Sequence, residues 1–444
     1  MKKSSLIGHT VEAYDLILRN DRPADSTIDT FFRSHKYLGS HDRRFVAEAV
    51  YGLLRNKLRL ETVLDAMTGR PPSASAETRS HLLCLLYLII FGAETPALLA
   101  EEIGAENDET LPLLNFFNEA KEVDARQEHG FHSAPEDAHS LSVKFSFPRW
   151  MVDSWLVMYG PAGTVQLCES LNSPPPLALR VNTIKTTVEQ CQEALAKEGI
   201  TTNRTKLSPF GLTVAKRMNI FALESFQKGF FEVQDEGSQL LPLLLDPKPR
   251  SKVVDACAGA GGKSLAIAAL MKNHGVVHAL DINAFRLEEL RKRIRRSGVD
   301  TIRIHHVKEG ELPEGLVGTA DNVLVDAPCS GLGTIRRNPG MKWTVTPADV
   351  QELSVKQSIL LDYYAQCVRP LGRLVYATCT MNRAENEEVV ERFLSSHQAF
   401  EVIEPSVILS RYGLESIAQE KYFRVSPHLH GTDGFFAVAM RRKE

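Results

Sequence analysis

The chain has 444 residues, 43% of them hydrophobic and 24% charged, with a formal net charge of −3. That length exceeds one ordinary domain, so two or three are expected, each with enough apolar material for a core. The charge balance excludes a protein that holds nucleic acid by overall positive charge, and any basic surface must be local.

The first residues, MKKSSLIGHTVEAYDL, include two lysines but no apolar stretch leading to a cleavage site, so no secretory signal is expected. Residues 1 to about 93 predict a helical domain. VEAYDLILRN, DRRFVAEAVYGLLRNKLRLETVLDAM and TRSHLLCLLYLIIF carry apolar residues at helical spacing, and GRPPSAS (69–75) is a turn signal. The run LLCLLYLIIFGA (82–93) is shorter than the roughly 18 residues that cross a bilayer and fits a buried helix, so no membrane partner is expected. Residues 95–140 are acidic, and AKEVDARQEHGFHSAPEDAHS predicts a solvated linker whose charge repels RNA. Residues 141–245 mix helical signals (PRWMVDSWLVMYG, TVEQCQEALAKEGI) with strand signals (LALRVNT, GLTVA, GFFEVQ), as in a small α+β module.

From 246 to 444 strand and helix signals alternate. KVVDAC, VVHALDI, IRIHHV, NVLVDA and GRLVYATC are apolar runs separated by helical stretches, the signature of a Rossmann-like, doubly wound α/β domain. Three domains are therefore expected: helical with its acidic linker (1–130), α+β (141–245) and α/β (246–444).

The first strand of the last domain leads into DACAGAGGKS (255–264). A phosphate-binding P-loop needs glycine five positions before the glycine of Gly-Lys-Ser, and that position is Cys257. A dinucleotide fingerprint needs a third glycine where Ser264 stands. What remains is a glycine turn that brings backbone amides to a ligand, followed about 20 residues later by a strand ending in Asp281. A carboxylate there can accept both hydroxyls of a ribose, and its plain alternative is a helix N-cap. Without a pyrophosphate motif, the pair suits a single nucleoside, such as the adenosine of S-adenosylmethionine.

Seven cysteines (84, 168, 191, 257, 329, 367, 379) form no C-x-x-C pair and no zinc spacing, so no metal is expected and the thiols read as reduced and cytoplasmic. Two of them differ from ordinary buried cysteines. Asp326-Ala-Pro-Cys329 follows the fourth strand of the sheet and Cys379 follows the fifth, so two thiols and an acid should meet beside the donor. Methylation of a pyrimidine at carbon 5 needs that set. Carbon 5 is too weak a nucleophile until a thiolate adds to carbon 6, an acid at ring N3 favours the addition, and a base must then take the carbon-5 proton.

Residues 141–444 resemble the bacterial RNA cytosine-5 methyltransferases of the RsmB/Sun type. The shared motifs are FFEVQDEGSQL, DACAGAGGKS, ALDIN, DAPCSGLG with IRRNPGMKW, YATC with ENEEVV, and GTDGFF. The resemblance implies that Cys379 is the nucleophile and that Cys329 assists product release. It places Asp326 at the donor or the target cytosine, with Lys263 beside both. Cys257, Ala258, Gly259, Ala260, Gly261, Gly262, Lys263, Asp281, Glu309 and Asp326 would hold S-adenosylmethionine. The family more often has proline where Ala260 stands, and Asp in a G-D-G context where VKEGE offers Glu309.

LGSHDRRFVAEAVYGLLRNKLRLE (38–61) resembles the NusB-like, RNA-binding domain that precedes the catalytic part in such enzymes, with a charged face around Arg43, Arg44 and Arg55. Basic residues also gather in FRLEELRKRIRRSG (285–298), most simply a solvated helix face. IRRNPGMKW is the better candidate for RNA: Arg336, Arg337 and Lys342 as phosphate contacts, Trp343 as a stacking surface. The target base must leave any helix it occupies. The expected protein is a monomeric cytoplasmic enzyme that acts on ribosomal RNA, 16S above all. A non-catalytic assembly factor and an enzyme for tRNA or another rRNA site are the alternatives.

Overall fold

The computed structural model describes every residue except 20–23, 68–75, 93, 105–109, 134–136, 216–217 and 420. The turn signal at 69–75 lies outside the described residues. The chain forms two compact units, one of Met1–Pro174 with Ile335–Thr346, the other of Pro175–Thr334 with Pro347–Glu444.

Among its described residues the first unit is helical, with α1 (Lys3–Arg19), α2 (Ala24–Ser34), α3 (Ser40–Ala66), α4 (Ala76–Ile90), α5 (Pro96–Gly104), α6 (Thr110–Ser133), α7 (Ala138–Phe145) and α8 (Arg149–Asn172). Apolar spacing decides which faces turn inward. Ile7, Tyr14 and Ile17 of α1 meet Val46, Val50, Leu53 and Leu60 of α3 in one core. Gly52 permits the close passage of α3 and α4, because a side-chain carbon there would lie 1.9 Å from the Tyr87 ring.

Among the described residues, the acidic stretch after residue 95 is helical and not a linker, while 105–109 and 134–136 lie outside the described residues. It forms α5 and α6, and α6 buries Phe116, Phe117, Ala120 and Val123 on one face. Asp124 on that helix accepts two bonds from the Arg59 guanidinium of α3, at 2.8 and 2.9 Å, with 12% and 11% of the two side chains exposed. Its acids thus include one that pairs inside the fold. The helices α7 and α8, which the sequence groups with the α+β module, belong to the first unit, and α8 bends where Gly160 (φ 67°) precedes Pro161.

The phosphate contacts expected of Arg336 and Lys342 in IRRNPGMKW are corrected by burial, while Arg337 and Trp343 are half-buried. Residues 335–346 pack within the first unit, where Arg336 is 3% exposed and Lys342 fully buried. The Lys342 ammonium donates to the carbonyls of Arg55 and Ser146, both at 3.0 Å, and to Asn172 Oδ1 at 2.6 Å. It also lies 3.5 Å from the centre of the Phe147 ring. Burial holds its pKa well below the usual lysine range. Trp343 donates its indole N–H to the Leu54 carbonyl at 2.7 Å. A lysine saturated by three acceptors has no proton left for a phosphate.

The second unit contains two sheets among its described residues. β1 (Leu177–Val181), β2 (Thr202–Arg204), β3 (Gly211–Val214) and β4 (Phe231–Val233) pair antiparallel in the order β2-β3-β1-β4. Leu179, Val181, Leu212 and Phe231 pack with Cys191 and Leu195 of the helix Val188–Lys197. The larger sheet has β5 (Lys252–Asp255), β6 (Val276–Asp281), β7 (Ile302–His306), β8 (Ala320–Asp326) and β9 (Val368–Thr378), parallel in the order β7-β6-β5-β8-β9. The Rossmann-like pattern read from the sequence is this parallel part. β10 (Phe400–Ile403), β11 (Ala418–Gln419), β12 (Tyr422–Val425) and β13 (Phe435–Arg442) extend it, with β13 antiparallel to β9.

The chain runs from β5 outward through β6 and β7, then returns to β8 on the other side of β5. The carboxyl ends of β5 and β8 therefore frame the switch point where doubly wound sheets bind ligands. Among the described residues no helix is long and apolar enough to cross a membrane.

Replacing Lys342 by alanine leaves three acceptors without their donor and should cost about 2–4 kcal/mol in denaturant unfolding. The slope of RNA affinity against salt should not change. A slope reduced by about one with stability intact would restore Lys342 as a phosphate contact.

Candidate active site

β5 ends at Asp255, and the next residues turn sharply under the control of β6. The Ala258 amide donates to the Leu280 carbonyl at 2.9 Å, and the Gly259 amide donates to Asp281 Oδ2 at 2.7 Å. Asp281 Oδ1 accepts from the Asn283 amide at 2.7 Å, so two backbone amides fix this carboxylate at the strand end. Asn283, not Asp281, caps the helix Ala284–Ser297. The helix-cap alternative for Asp281 therefore gives way to one in which it holds the glycine turn. Gly261 adopts φ +80°, and a side-chain carbon there would lie 2.0 Å from Leu290. Both facts require glycine.

The helix Gly262–Leu270 follows and aims Lys263 and Ser264 back at the sheet. Ser264 donates to Asp255 Oδ2 at 2.6 Å. Asp255 Oδ1 is buried without a hydrogen-bond partner. Burial, partly opposed by the Ser264 bond and reinforced by the charge of Asp326, pushes the Asp255 carboxyl up to about 7. Lys263 reaches the end of β8, where its ammonium lies 2.5 Å from Asp326 Oδ2. Burial pulls the lysine pKa down, but Asp326, followed by Cys379 and Asp255, outweighs it and the net shift is upward. Lys263 thus stays charged at the centre of the site.

Two sulfurs lie beside this pair. Cys329 Sγ is 3.3 Å from Cys379 Sγ, and the Cys379 amide points at Cys329 Sγ at the same distance. Their loops leave adjacent parallel strands, with the Ala327 amide bonded to the Ala377 carbonyl and Gly333 to that of Cys379, both at 2.9 Å. The contact with Cys379, together with burial, raises the Cys329 thiol well above its ordinary value. Burial likewise pushes the Cys257 thiol up.

The sequence reading missed the group that holds the two thiol loops together. Glu385, fully buried, accepts from the Ser330 amide at 2.7 Å, the Ser330 hydroxyl at 2.5 Å and Gln357 Nε2 at 3.0 Å. Its own carbonyl accepts from Tyr376 at 2.6 Å, and Asn386 bridges Thr378 and the Thr380 carbonyl. The signal was ENEEVV itself, quoted as a motif but given no role.

Glu309, three residues beyond β7, is exposed and lies 3.4 Å from Lys356. The basic helix Ala284–Ser297 is less available than its composition suggests. Arg293 and Arg296 both bond the buried Glu232, while Arg291 and Lys292 pair with Glu288 and Glu289. Arg293 also donates to the Ala260 carbonyl at 2.9 Å, tying FFEVQDEGSQL to the glycine turn.

The chain is similar to known proteins. A family model described as 16S rRNA methyltransferase RsmB/F matches residues 242–441, and one described as an RsmF/B-like methyltransferase ferredoxin-like domain matches 147–221. The chain is 33% identical to a probable ribosomal RNA small subunit methyltransferase B of Synechocystis sp., over 96% of this chain and 97% of the relative. It is 32% identical to a protein of the same description in Bacillus subtilis over the whole of both chains. Among solved structures it resembles PH0851, with TM-score 0.76, 26% identity and 98% of each chain covered. It also resembles a methyltransferase homolog from Pyrococcus horikoshii, with TM-score 0.59, 28% identity, 70% of this chain and 99% of that one.

Glu385→Ala should free the two loops and raise the rate at which iodoacetamide labels Cys329 and Cys379 by roughly tenfold, the weight of one or two charged hydrogen bonds. Peptide mass spectrometry reads this directly. Unchanged labelling would mean that the strands alone hold the thiols.

Proposed function

The chain belongs to the 16S rRNA methyltransferase RsmB/F family, and we propose that it methylates carbon 5 of a cytosine in small-subunit ribosomal RNA through a transient Cys379–carbon 6 bond. It is a ribosomal RNA methyltransferase that uses S-adenosylmethionine. The observation that carries the finer reading is the sulfur pair, 3.3 Å apart and next to the Lys263–Asp326 ion pair at the sheet's switch point.

The crevice suits the donor. The buried, unpartnered Asp255 Oδ1 offers an acceptor to a cationic amino group. The turn from Cys257 through Ala258, Gly259, Ala260, Gly261 and Gly262 to Lys263 offers its backbone, and Asp281 is rigid enough to take two ribose hydroxyls. Glu309 is assigned to the adenine end. When bound, S-adenosylmethionine supplies an electrophilic methyl group.

The residues of the chain do the rest. The Cys379 thiolate gives an electron pair to carbon 6 of cytosine, and the ring's double bond moves its density to carbon 5, which takes the methyl group. Asp326, held by Lys263, favours the addition by hydrogen bonding at the ring's polar edge. Loss of the carbon-5 proton to a base then restores the double bond and expels Cys379. The short sulfur–sulfur distance supports a role for Cys329 in that release, and its raised pKa means that it holds a proton it can share with Cys379. The helical unit, with its resemblance to NusB-like domains, is assigned to RNA selection. A scaffold without catalysis would need neither thiol, and the relatives' descriptions favour ribosomal over transfer RNA.

The test is the product. Unmethylated 16S rRNA carrying tritium at cytosine carbon 5 is incubated with the protein and S-adenosylmethionine, then digested to nucleosides. Tritium release matched by 5-methylcytidine is expected. A methylated nucleoside of another kind, with tritium retained, would contradict the proposal.

A further inference from the structure

We propose that His9, Glu12 and His35 form a binding site for one divalent transition-metal ion, zinc by preference, in the helical unit. His9 and Glu12 stand three residues apart on α1 and so share one face. His35 follows the last residue of α2. His9 Nδ1 lies 3.7 Å from Glu12 Oε2, and His35 Nε2 lies 3.8 Å from the same oxygen. The three potential ligand atoms all fall within 4.8 Å of one another. In a tetrahedral site with bonds of about 2.0–2.1 Å, ligand atoms are about 3.3 Å apart. Glu12 Oε2 must then approach each imidazole nitrogen by about half an ångström, and the two imidazole nitrogens, no more than 4.8 Å apart, must approach each other by up to about 1.5 Å.

The surroundings distinguish this cluster from a chance meeting of surface groups. Each imidazole has its second nitrogen engaged, as metal-bound histidines do: His35 Nδ1 with the Phe31 carbonyl at 2.9 Å, His9 Nε2 with the Tyr37 hydroxyl at 3.2 Å. An Nδ1–H on His35 donating to Phe31 turns the lone pair of Nε2 toward Glu12. An Nε2–H on His9 donating to Tyr37 does the same for its Nδ1. Two lone pairs and a carboxylate then converge on one point, a donor set that a cation satisfies. Ring packing holds this orientation. His35 stacks on the buried Phe31 with centroids 4.1 Å apart, and His9 meets the Tyr37 ring at 5.7 Å.

Two imidazoles and one carboxylate select zinc and its neighbours over magnesium or calcium, and leave a fourth position for water. The ion would clip the first helix to the end of the second and stabilise the unit. Sequence reading could not see this, because the zinc patterns it sought involve cysteines, and His9 and His35 lie 26 positions apart.

The test uses the full chain stripped with chelator, titrated with zinc chloride and desalted. Because seven cysteines can also hold zinc, the comparison is with the His9→Asn/His35→Asn variant. The native chain should retain one zinc more than the variant, and zinc should raise its Tm by several degrees more. Cobalt in place of zinc should give the absorption of a tetrahedral nitrogen–oxygen site without a thiolate band. Equal zinc content in both proteins, or a cobalt difference spectrum dominated by thiolate, would overturn the site. Should the double variant not fold, Glu12→Gln replaces a half-exposed side chain and should weaken zinc binding by more than about tenfold. Unchanged affinity in that variant would overturn the site equally.

Discussion

Glu385 sets the geometry on which the chemistry rests. Alone, the ends of β8 and β9 would carry two cysteines on separate loops, each free to point into the protein or the solvent. One buried carboxylate that accepts from Ser330 twice and from Gln357 fixes the first loop against the strand end of the second. The sulfurs are then neighbours at 3.3 Å. A buried charge is costly unless its bonds are complete, and Glu385 has three donors. Substrate contact is no part of its task, and it carries no obvious reactive signature.

The second constraint is the ion pair between Lys263 and Asp326. It joins the glycine turn after β5 to the loop after β8 across the switch point. In the proposed mechanism donor and target chemistry share this one electrostatic centre. The pair keeps Lys263 charged despite burial, whereas burial, reinforced by the charge of Asp326, pushes the Asp255 carboxyl up to about 7 against its Ser264 bond.

How much of this was legible in the sequence follows physical lines. The central parallel strands β5 and β8 were readable because they are buried along nearly their whole length, which makes them apolar runs. The strand-end residues Asp281, Asp326, Cys329 and Cys379 were readable because a strand end in such a sheet is a predictable place. What failed was inference from charge alone. In α6 the acids hid an apolar face at Phe116, Phe117, Ala120 and Val123. In IRRNPGMKW the basic residues suggested a surface, yet Lys342 is an internal anchor whose three acceptors come from α3, the residue after α7, and α8. No local pattern encodes such partners, because they lie 170 to 287 positions away.

The central claim is that sulfur 379, and not sulfur 329, bonds to the pyrimidine. The most direct measurement is peptide mapping by mass spectrometry of the Cys329→Ala protein after incubation with unmethylated ribosomal RNA and S-adenosylmethionine. A protein–RNA adduct that survives denaturation, with the nucleotide mass on the peptide containing Cys379, is expected. An adduct on any other residue, or active RNA that yields no adduct, would contradict it.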